Sequence, residues 1–584
     1  MHHLILISTA VLGCLPFVLS SSAGDAALPT VNIRNGTLVG TRIYSSYQES
    51  FLGIPYAQPP VGQLRFARPE PLESRWPSPR NATDYGPFCL GNAFRLVGFS
   101  QESNSYRQNE DCLTINVVRP ITAPASKHQP SSSAKGPLPV LVWLYGGGFQ
   151  EGGSGDARYD MSNLVKKSFE IGRPIIGVSF NYRVGIFGFA SGRPFKEAGT
   201  ANLGIHDQRL ALRWIQENIK AFGGDPTRVT ITGESAGAAS VGLHLIANNG
   251  RNDRLFNGAI AQSGGPLYYI PQMSEVVQDA QLDALIKEVD CLNSTDSISC
   301  LRQIPAEALK QASMGVLWNP VTDQDLFLDL PSVALAKGAF VPVPLLIGSN
   351  TNEGTPFMPL FSNISASEPS DFSATLRSYF GPTKELNETI QRLDEFYSAA
   401  MEDDIESALG TVLANPKHPY GPLYGKISTL LGDLLFTAGR RITAEAWAAK
   451  GLPAYSYRFD TVPAGVDPET LGAAHFQEVA FVFGNTEGKG YDINPFSITD
   501  PRIRAKYLDM SELMSRMWIS FTNSGTPNNH RVRHFKVQWP EYEKQNPRNI
   551  VFNATAGAKL EADDYRREAI DYIRNTAASF NRKF

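Results

Sequence analysis

The sequence predicts an α/β protein, one large domain built on a large, mostly parallel central sheet with helices on both faces. Three observations predict it. Short apolar runs rich in β-branched residues alternate with segments of helical periodicity, as a parallel sheet covered on both faces requires. The 584 residues include 42% hydrophobic ones, which a sizeable core needs and a disordered chain lacks. The balance of 53 Lys+Arg against 57 Asp+Glu, a formal charge of -4, disfavours a nucleic-acid binder.

In chain order, the first element is an address. Leu4 to Leu19 is apolar apart from Ser8, Thr9 and Pro16, and gives way to Ser20, Ser21, Ser22, Ala23, Gly24 and Asp25. That pattern predicts a cleaved signal peptide over 1–22, leaving 23–584 as the folded domain. No second stretch approaches the ~18 consecutive apolar residues of a membrane span, so a secreted protein with no stable membrane span is expected. Cysteine usage fits. Cys14 leaves with the signal, and Cys89, Cys112, Cys291 and Cys300 allow three connectivities, of which pairing by neighbourhood gives Cys89–Cys112 and Cys291–Cys300. Six sequons, at Asn35, Asn81, Asn293, Asn363, Asn387 and Asn553, are glycosylation candidates in that compartment. No Cys pair of the mature chain has metal-ligand spacing, and His530 and His534 lie in a polar, basic stretch, so no metal is expected.

The Pro/Ser-rich stretch from Thr122 to Pro139 reads as a surface loop within the domain. Val140 to Tyr145 is an apolar strand ending in Gly146-Gly147-Gly148, and Pro174 to Phe180 is another, ending at Asn181-Tyr182-Arg183. Leu203 to Phe222 places Leu210, Trp214, Ile215 and Ile219 at helical spacing. Val229 to Thr232 is a short strand, Ala236 opens a small-residue helix, and Ala259 to Gln262, Leu345 to Gly348 and Tyr455 to Phe459 continue the strands. Tyr565 to Phe580 reads as an amphipathic helix packed on the body, with Ala569, Ile573, Ala577 and Phe580 on one face.

Chemistry gathers where these strands end. Gly233-Glu234-Ser235-Ala236-Gly237 matches the G-x-S-x-G nucleophile elbow. The pattern alone is weak, with ~0.2 matches expected by chance in a chain this long. The strand before it and the small residues after it are what a sharp strand-to-helix turn needs. A serine hydroxyl needs a base, and the base a carboxylate to orient it. Glu353 follows the strand ending at Gly348, and His475 follows the one ending at Phe459, between Ala473-Ala474 and Phe476. Negative charge formed on a substrate carbonyl needs backbone N–H donors, each worth roughly 2.7–4 kcal/mol. Gly147 and Gly148, after the first strand, and Ala236, after the serine, are the expected donors.

With these residues in view, the chain resembles the type-B carboxylesterase/lipase family, which also holds the cholinesterases, and particularly its fungal secreted members. Phe51-Leu52-Gly53-Ile54-Pro55-Tyr56-Ala57, Pro59-Pro60-Val61-Gly62 and Leu64-Arg65-Phe66 resemble its N-terminal signature. Glu110-Asp111-Cys112-Leu113-Thr114-Ile115-Asn116-Val117 resembles its second, and Phe222-Gly223-Gly224-Asp225-Pro226 and Trp539-Pro540 fit as well. The resemblance implies an α/β-hydrolase fold, a nucleophile at Ser235, an acid at Glu353, a base at His475 and no cofactor. It also implies the neighbour pairing of the cysteines and structural ion pairs of Arg65 with Glu110 and Arg183 with Asp207. Glu234, Glu478 and Ser263 match residues that support the histidine from behind, and Tyr145 stands where many animal members carry His.

The expected function is a secreted serine carboxylic-ester hydrolase working through an acyl-enzyme on a small-molecule or lipid ester. The segment from Leu90 to Asp111 has no tryptophan, the residue with which cholinesterases hold quaternary ammonium in this loop, so choline esters are disfavoured. Phe94, Leu96, Val97 and Phe99 followed by polar residues make 89–112 a candidate flap. Its shortness favours short-to-medium acyl esters over the alternative, an interfacial triacylglycerol lipase. Phe149 and Phe357 are candidates to line the acyl site, with buried core as the competing account. A non-catalytic binding or adhesion role is the rival from another class, and the intact Ser, Glu and His argue against it. Sequence alone leaves the oligomeric state unknown.

Overall fold

The apolar runs become the centre of an eleven-stranded sheet. The computed structural model describes residues 28–93, 96–99, 106–121, 136–267, 274–358, 366–380, 386–399 and 419–576. The signal segment, Phe94, Asn363 and most of the Thr122 to Pro139 loop therefore lie outside the described residues. The strands are β1 (Thr41–Ile43), β2 (Gln48–Pro55), β3 (Thr114–Pro120), β4 (Leu138–Leu144), β5 (Ile176–Phe180), β6 (Gly224–Glu234), β7 (Gly258–Gln262), β8 (Leu345–Asn350), β9 (Ala454–Phe459), β10 (Arg548–Asn553) and β11 (Gly557–Ala562). They lie side by side in the order β11-β10-β9-β8-β7-β6-β4-β5-β3-β2-β1. Every neighbouring pair from β10 to β5 is parallel, and the flanking pairs are antiparallel.

Position in the sheet explains composition. Every residue of β4, β5, β7, β8 and β9 is buried, because helices cover both faces and neither set of side chains reaches water. The edge strand β11 has no buried residue. The helices that matter most to the site are α1 (Leu203–Asn218), α2 (Ala236–Gly250), α3 (Pro501–Ser524) and the C-terminal α4 (Arg567–Thr576). In α3, Asp500 accepts from Arg502 N, Pro501 occupies the first turn and Gly525 closes the helix at φ 69°. Its Met510, Leu513, Met514, Met517, Trp518 and Phe521 are all buried, each such side chain contributing roughly 1.5–3 kcal/mol. The helix α4 buries Ala569, Ile570 and Ile573, while Ala577 and Phe580 lie outside the described residues.

Several sequence expectations reappear as contacts. Cys89–Cys112 and Cys291–Cys300 are disulfides with Cα atoms 5.0 and 5.9 Å apart. Arg65 pairs with Glu110 through two bonds of 2.6 and 2.7 Å, and Arg183 with Asp207 through bonds of 2.8 and 2.7 Å. Among the sequons, Asn81, Asn293 and Asn387 are exposed and Asn553 is half-buried. Asn35 is different. Its side chain is buried and Nδ2 donates to the carbonyls of Leu72 and Ser74, so the folded domain offers no free amide nitrogen there.

Candidate active site

The elbow is built from the strand upward. Ser235 joins β6 to α2 with φ 56° and ψ -123°, a backbone region that costs a non-glycine residue of order 1–3 kcal/mol and is held by its surroundings. Those surroundings leave no room for side chains. A Cβ on Gly237 would lie 2.1 Å from Leu144 O, and one on Gly233 would lie 2.5 Å from the Gly237 backbone. Ser235 N donates to Gln262 O at the end of β7, and Ser235 O accepts from Ala239 N within α2.

The loops after β8 and β9 are tied to each other. Asn352 and Ala474 form a parallel bridge, Asn350 Nδ2 donates to Ala474 O at 2.6 Å, and Asn352 Oδ1 accepts from Ala473 N at 2.9 Å. This brings Glu353 to His475. Glu353 Oε2 lies 2.7 Å from His475 Nδ1, while its Oε1 accepts from Ser263 Oγ at 2.5 Å and from Asn350 N at 2.6 Å. With Nδ1 committed to the carboxylate, Nε2 is the ring atom left to take a proton. It is buried without a hydrogen-bond partner. Glu234 Oε1 approaches it to 3.2 Å, outside hydrogen-bonding geometry, which places the imidazole beside the residue preceding Ser235.

Two further buried carboxyl groups, those of Glu234 and Glu478, lie near this imidazole, and burial sets their charge. Burial first, and then Glu478 and Glu353, hold the Glu234 carboxyl well above the usual carboxylate range. Burial and Glu353 push Glu478 up to about 7, against the opposing hydrogen bonds from Asn350 and Gln262. Gln262 is itself fixed by Trp518 Nε1, 2.9 Å from its Oε1.

Facing the serine is the glycine loop. A Cβ on Gly146 would lie 3.0 Å from Ser235 Cβ, so this backbone runs against the elbow. Gly147, Gly148 and Phe149 take positive φ of 105°, 62° and 63°. Among the described residues neither the Gly147 nor the Gly148 N–H makes a backbone hydrogen bond, and Ala236 N is one of those a helix N-terminus leaves open. Gln150 holds the loop by donating to Gly148 O and Trp318 O. Beneath it, Tyr145 and Tyr182 stack at 4.3 Å, and each phenol donates to the other's carbonyl at 2.7 Å. The tyrosine at 145 is thus a brace for the loop.

Aromatic rings close around His475. Phe436 lies 4.7 Å, Phe357 5.2 Å and Phe99 6.5 Å from the imidazole, centre to centre. Phe99, from the expected flap, packs edge-on to Phe476, and the Arg158 guanidinium lies 5.3 Å from the Phe99 ring and 4.5 Å from Phe476. Phe149 is fully buried, edge-on to Phe189 at 4.9 Å, so the core account fits that residue. Sequence reasoning missed Phe436, Arg158, Gln150, Gln262 and Asn350. Phe436 sits on a π-helical turn, Asp433–Thr437, a device common at functional sites that leaves no sequence pattern.

Comparison with known proteins agrees with this geometry. A family model described as the carboxylesterase family matches residues 27–570. The chain is 31% identical to Lipase 2 of Diutina rugosa over 595 residues, covering 96% of this chain and 99% of that one. It is 32% identical to Secreted lipase 1 of Botryotinia fuckeliana, covering 95% and 94%. The crystal structure of Aspergillus niger EstA superposes with a TM-score of 0.79 at 26% identity, covering 95% of this chain and 99% of that chain. The doubly covered parallel sheet, the strained elbow and matches spanning almost the whole chain together show that it belongs to the carboxylesterase family of α/β-hydrolases and is a carboxylic ester hydrolase.

Proposed function

We propose that this protein is a secreted serine esterase acting on short-to-medium acyl esters through an acyl-enzyme. The observation that carries this reading is the 2.7 Å contact of His475 Nδ1 with Glu353, which leaves Nε2 free beside the elbow. Ser235 attacks the ester carbonyl as His475 Nε2 takes its proton. Glu353 holds the ring and steadies the imidazolium. The oxyanion is met by the N–H groups of Gly147, Gly148 and Ala236. His475 then returns the proton to the departing alkoxide, giving free alcohol and an acyl-serine ester. Water, deprotonated by the same nitrogen, attacks that ester; the acyl–Oγ bond breaks, His475 returns the proton to Ser235 Oγ, and the acid is released. Ser263 positions the acid; Glu234 and Glu478 adjust the charge around the ring.

Secretion is supported by the two disulfides, the N-terminal apolar run and the similarity to Secreted lipase 1 of Botryotinia fuckeliana. Rings at 99, 357 and 436 crowd the imidazole, which favours modest acyl groups. Stoichiometric labelling of Ser235 by an organophosphate, with loss of hydrolysis, is the expected result. A Ser235→Ala variant that keeps more than trace activity refutes the mechanism.

One observation favours a second reading. In segment 89–112, Leu96 and Phe99 are buried against the site while Val97 is 51% exposed, the two-faced character of an interfacial flap. Rates measured across the solubility limit of a short-chain glyceride separate the two: a jump at the emulsion boundary identifies a lipase, a smooth saturation curve an esterase.

A further inference from the structure

A cavity of about 400 Å³ lies against the outer face of α1, and none of Ser235, Glu353 and His475 lines it. The helix contributes His206, Arg209, Leu210, Arg213, Trp214 and Glu217, whose spacing makes one continuous stripe. The opposite wall brings Arg34, Arg68 and Arg251. Five guanidinium groups thus face the space against the carboxyl groups of Glu217, Asp253 and Asp325.

Pairing inside the cavity is incomplete. Arg209 Nη2 donates to Asp253 at 2.8 Å, but its Nη1 is buried and unpartnered although the residue is only 4% exposed. Trp214 Nε1 and His206 Nε2 are likewise buried without a hydrogen-bond partner. A buried donor left unpaired costs roughly 1–3 kcal/mol, so the two N–H donors of Arg209 and Trp214 on one cavity ask for an acceptor. Arg213 is exposed on the same stripe and makes no ion pair among the described residues. Burial and Arg68 push His206 down to about 4, so its imidazole is neutral at pH 7 and adds a hydrogen-bonding atom without charge.

The neighbouring trio His206, Asp323 and Asp325 has the spacing of a cation site, but its oxygens are engaged. Asp323 Oδ2 accepts from Asn202 Nδ2 and Oδ1 from the N–H groups of Asp325 and Phe327, while Asp325 is paired with Arg68. The arginine excess opposes a second cation.

We propose that this cavity binds a small organic polyanion of the di- or tricarboxylate class, held by Arg209, Arg213 and the indole N–H of Trp214. Guanidinium forks match carboxylates two bonds at a time, and the volume exceeds what a single inorganic anion fills.

Isothermal titration of the full chain with citrate, at constant ionic strength, tests this. One saturable site per chain is expected, with acetate and inorganic phosphate at least about tenfold weaker. Arg213→Gln, at an exposed position, and Trp214→Phe, which keeps an aromatic ring but loses the indole N–H, are each expected to weaken citrate about fivefold or more and to leave ester hydrolysis unchanged. No saturable binding up to about 10 mM overturns the site. So does citrate affinity unchanged in both variants. Phosphate binding as tight as citrate overturns the carboxylate class, and calcium binding abolished by Asp325→Asn overturns the anion assignment.

Discussion

Glu234 Oε1 lies 3.2 Å from Nε2 of His475, on the opposite side of the ring from Glu353, so the imidazole is bracketed by two carboxyl groups. One of them is held above the normal carboxylate range by burial and by its acidic neighbours. The sign of the consequence follows from linkage. A folded-state value above the unfolded one means that the native state binds the extra proton, so stability is greatest at low pH. It declines as pH rises from about 4.5 through the folded value. Glu478, pushed up to about 7, adds to the same decline between pH 4.5 and 7. Glu234→Gln removes the titrating group while keeping its shape. The variant is expected to match the wild type near pH 4 and to exceed it increasingly at pH 7 to 9, by about 1.4 kcal/mol per unit of upward shift. Urea midpoints across that range check this, and parallel pH profiles for the two proteins contradict it.

Ser263 Oγ and Asn350 N both donate to Glu353 Oε1, and these bonds aim Oε2 at the imidazole. Removing the hydroxyl takes away one charge-assisted bond of roughly 1.5–3 kcal/mol and lets the acid turn. Ser263→Ala is expected to lower kcat about tenfold or more with KM little changed, and Ser263→Thr to recover part of it. Glu353→Gln, whose amide oxygen is claimed by the Ser263 and Asn350 donors so that its NH2 faces Nδ1, is expected to cost about 10³–10⁴ in kcat. A KM effect larger than the kcat effect for Ser263→Ala assigns that residue to substrate binding instead.

The sequence patterns that reported the fold are those set by burial. Strands β4 to β9 are covered on both faces and read as continuous apolar runs, so their identity and position along the chain were legible, with ends off by at most two residues except in β6. There the strand begins at Gly224, and the register shift between Gly224 and Val229 hid the first part, which contains Pro226. Strands β1, β2, β10 and β11 were not legible. In β2, Gln48, Glu49 and Ser50 are buried polar residues, Glu49 being neutralised by Arg42 and Arg119, and no apolar alternation marks them. Site residues with a local motif, Ser235 and the glycines, could be read from spacing. Those placed by long-range packing, such as Phe436 and Arg158, could not, because no short window relates them to His475.

Phe436 meets the imidazole at 4.7 Å and Phe357 at 5.4 Å, forming an aromatic wall beside His475. Shortening Phe436 to alanine opens space at the cost of a large side-chain truncation, about 3–5 kcal/mol of stability where the ring is fully packed. Phe436→Leu is the milder probe. It is expected to shift the optimum of kcat/KM towards aryl esters with longer acyl chains, each added methylene gaining up to about 0.8 kcal/mol of binding. An unchanged chain-length profile places the acyl group elsewhere.

The two disulfides should differ in what they control. Cys89–Cys112 closes a segment with a sequence separation of 23, the one that carries Phe99 towards His475, whereas Cys291–Cys300, with a separation of 9, ties the turn after helix Glu275–Glu288 to helix Ser297–Gln303. Loop-closure entropy makes the longer link worth about 3 kcal/mol and the shorter one slightly less, so both double alanine variants are expected to unfold at lower urea. Only the first frees the segment that packs over the site. Replacing Cys89 and Cys112 should therefore raise KM and broaden ester selectivity, while replacing Cys291 and Cys300 should lower stability with KM unchanged. Equal KM values in all three proteins would mean that Phe99 is held by Arg158 and Phe476 alone, without help from the cross-link.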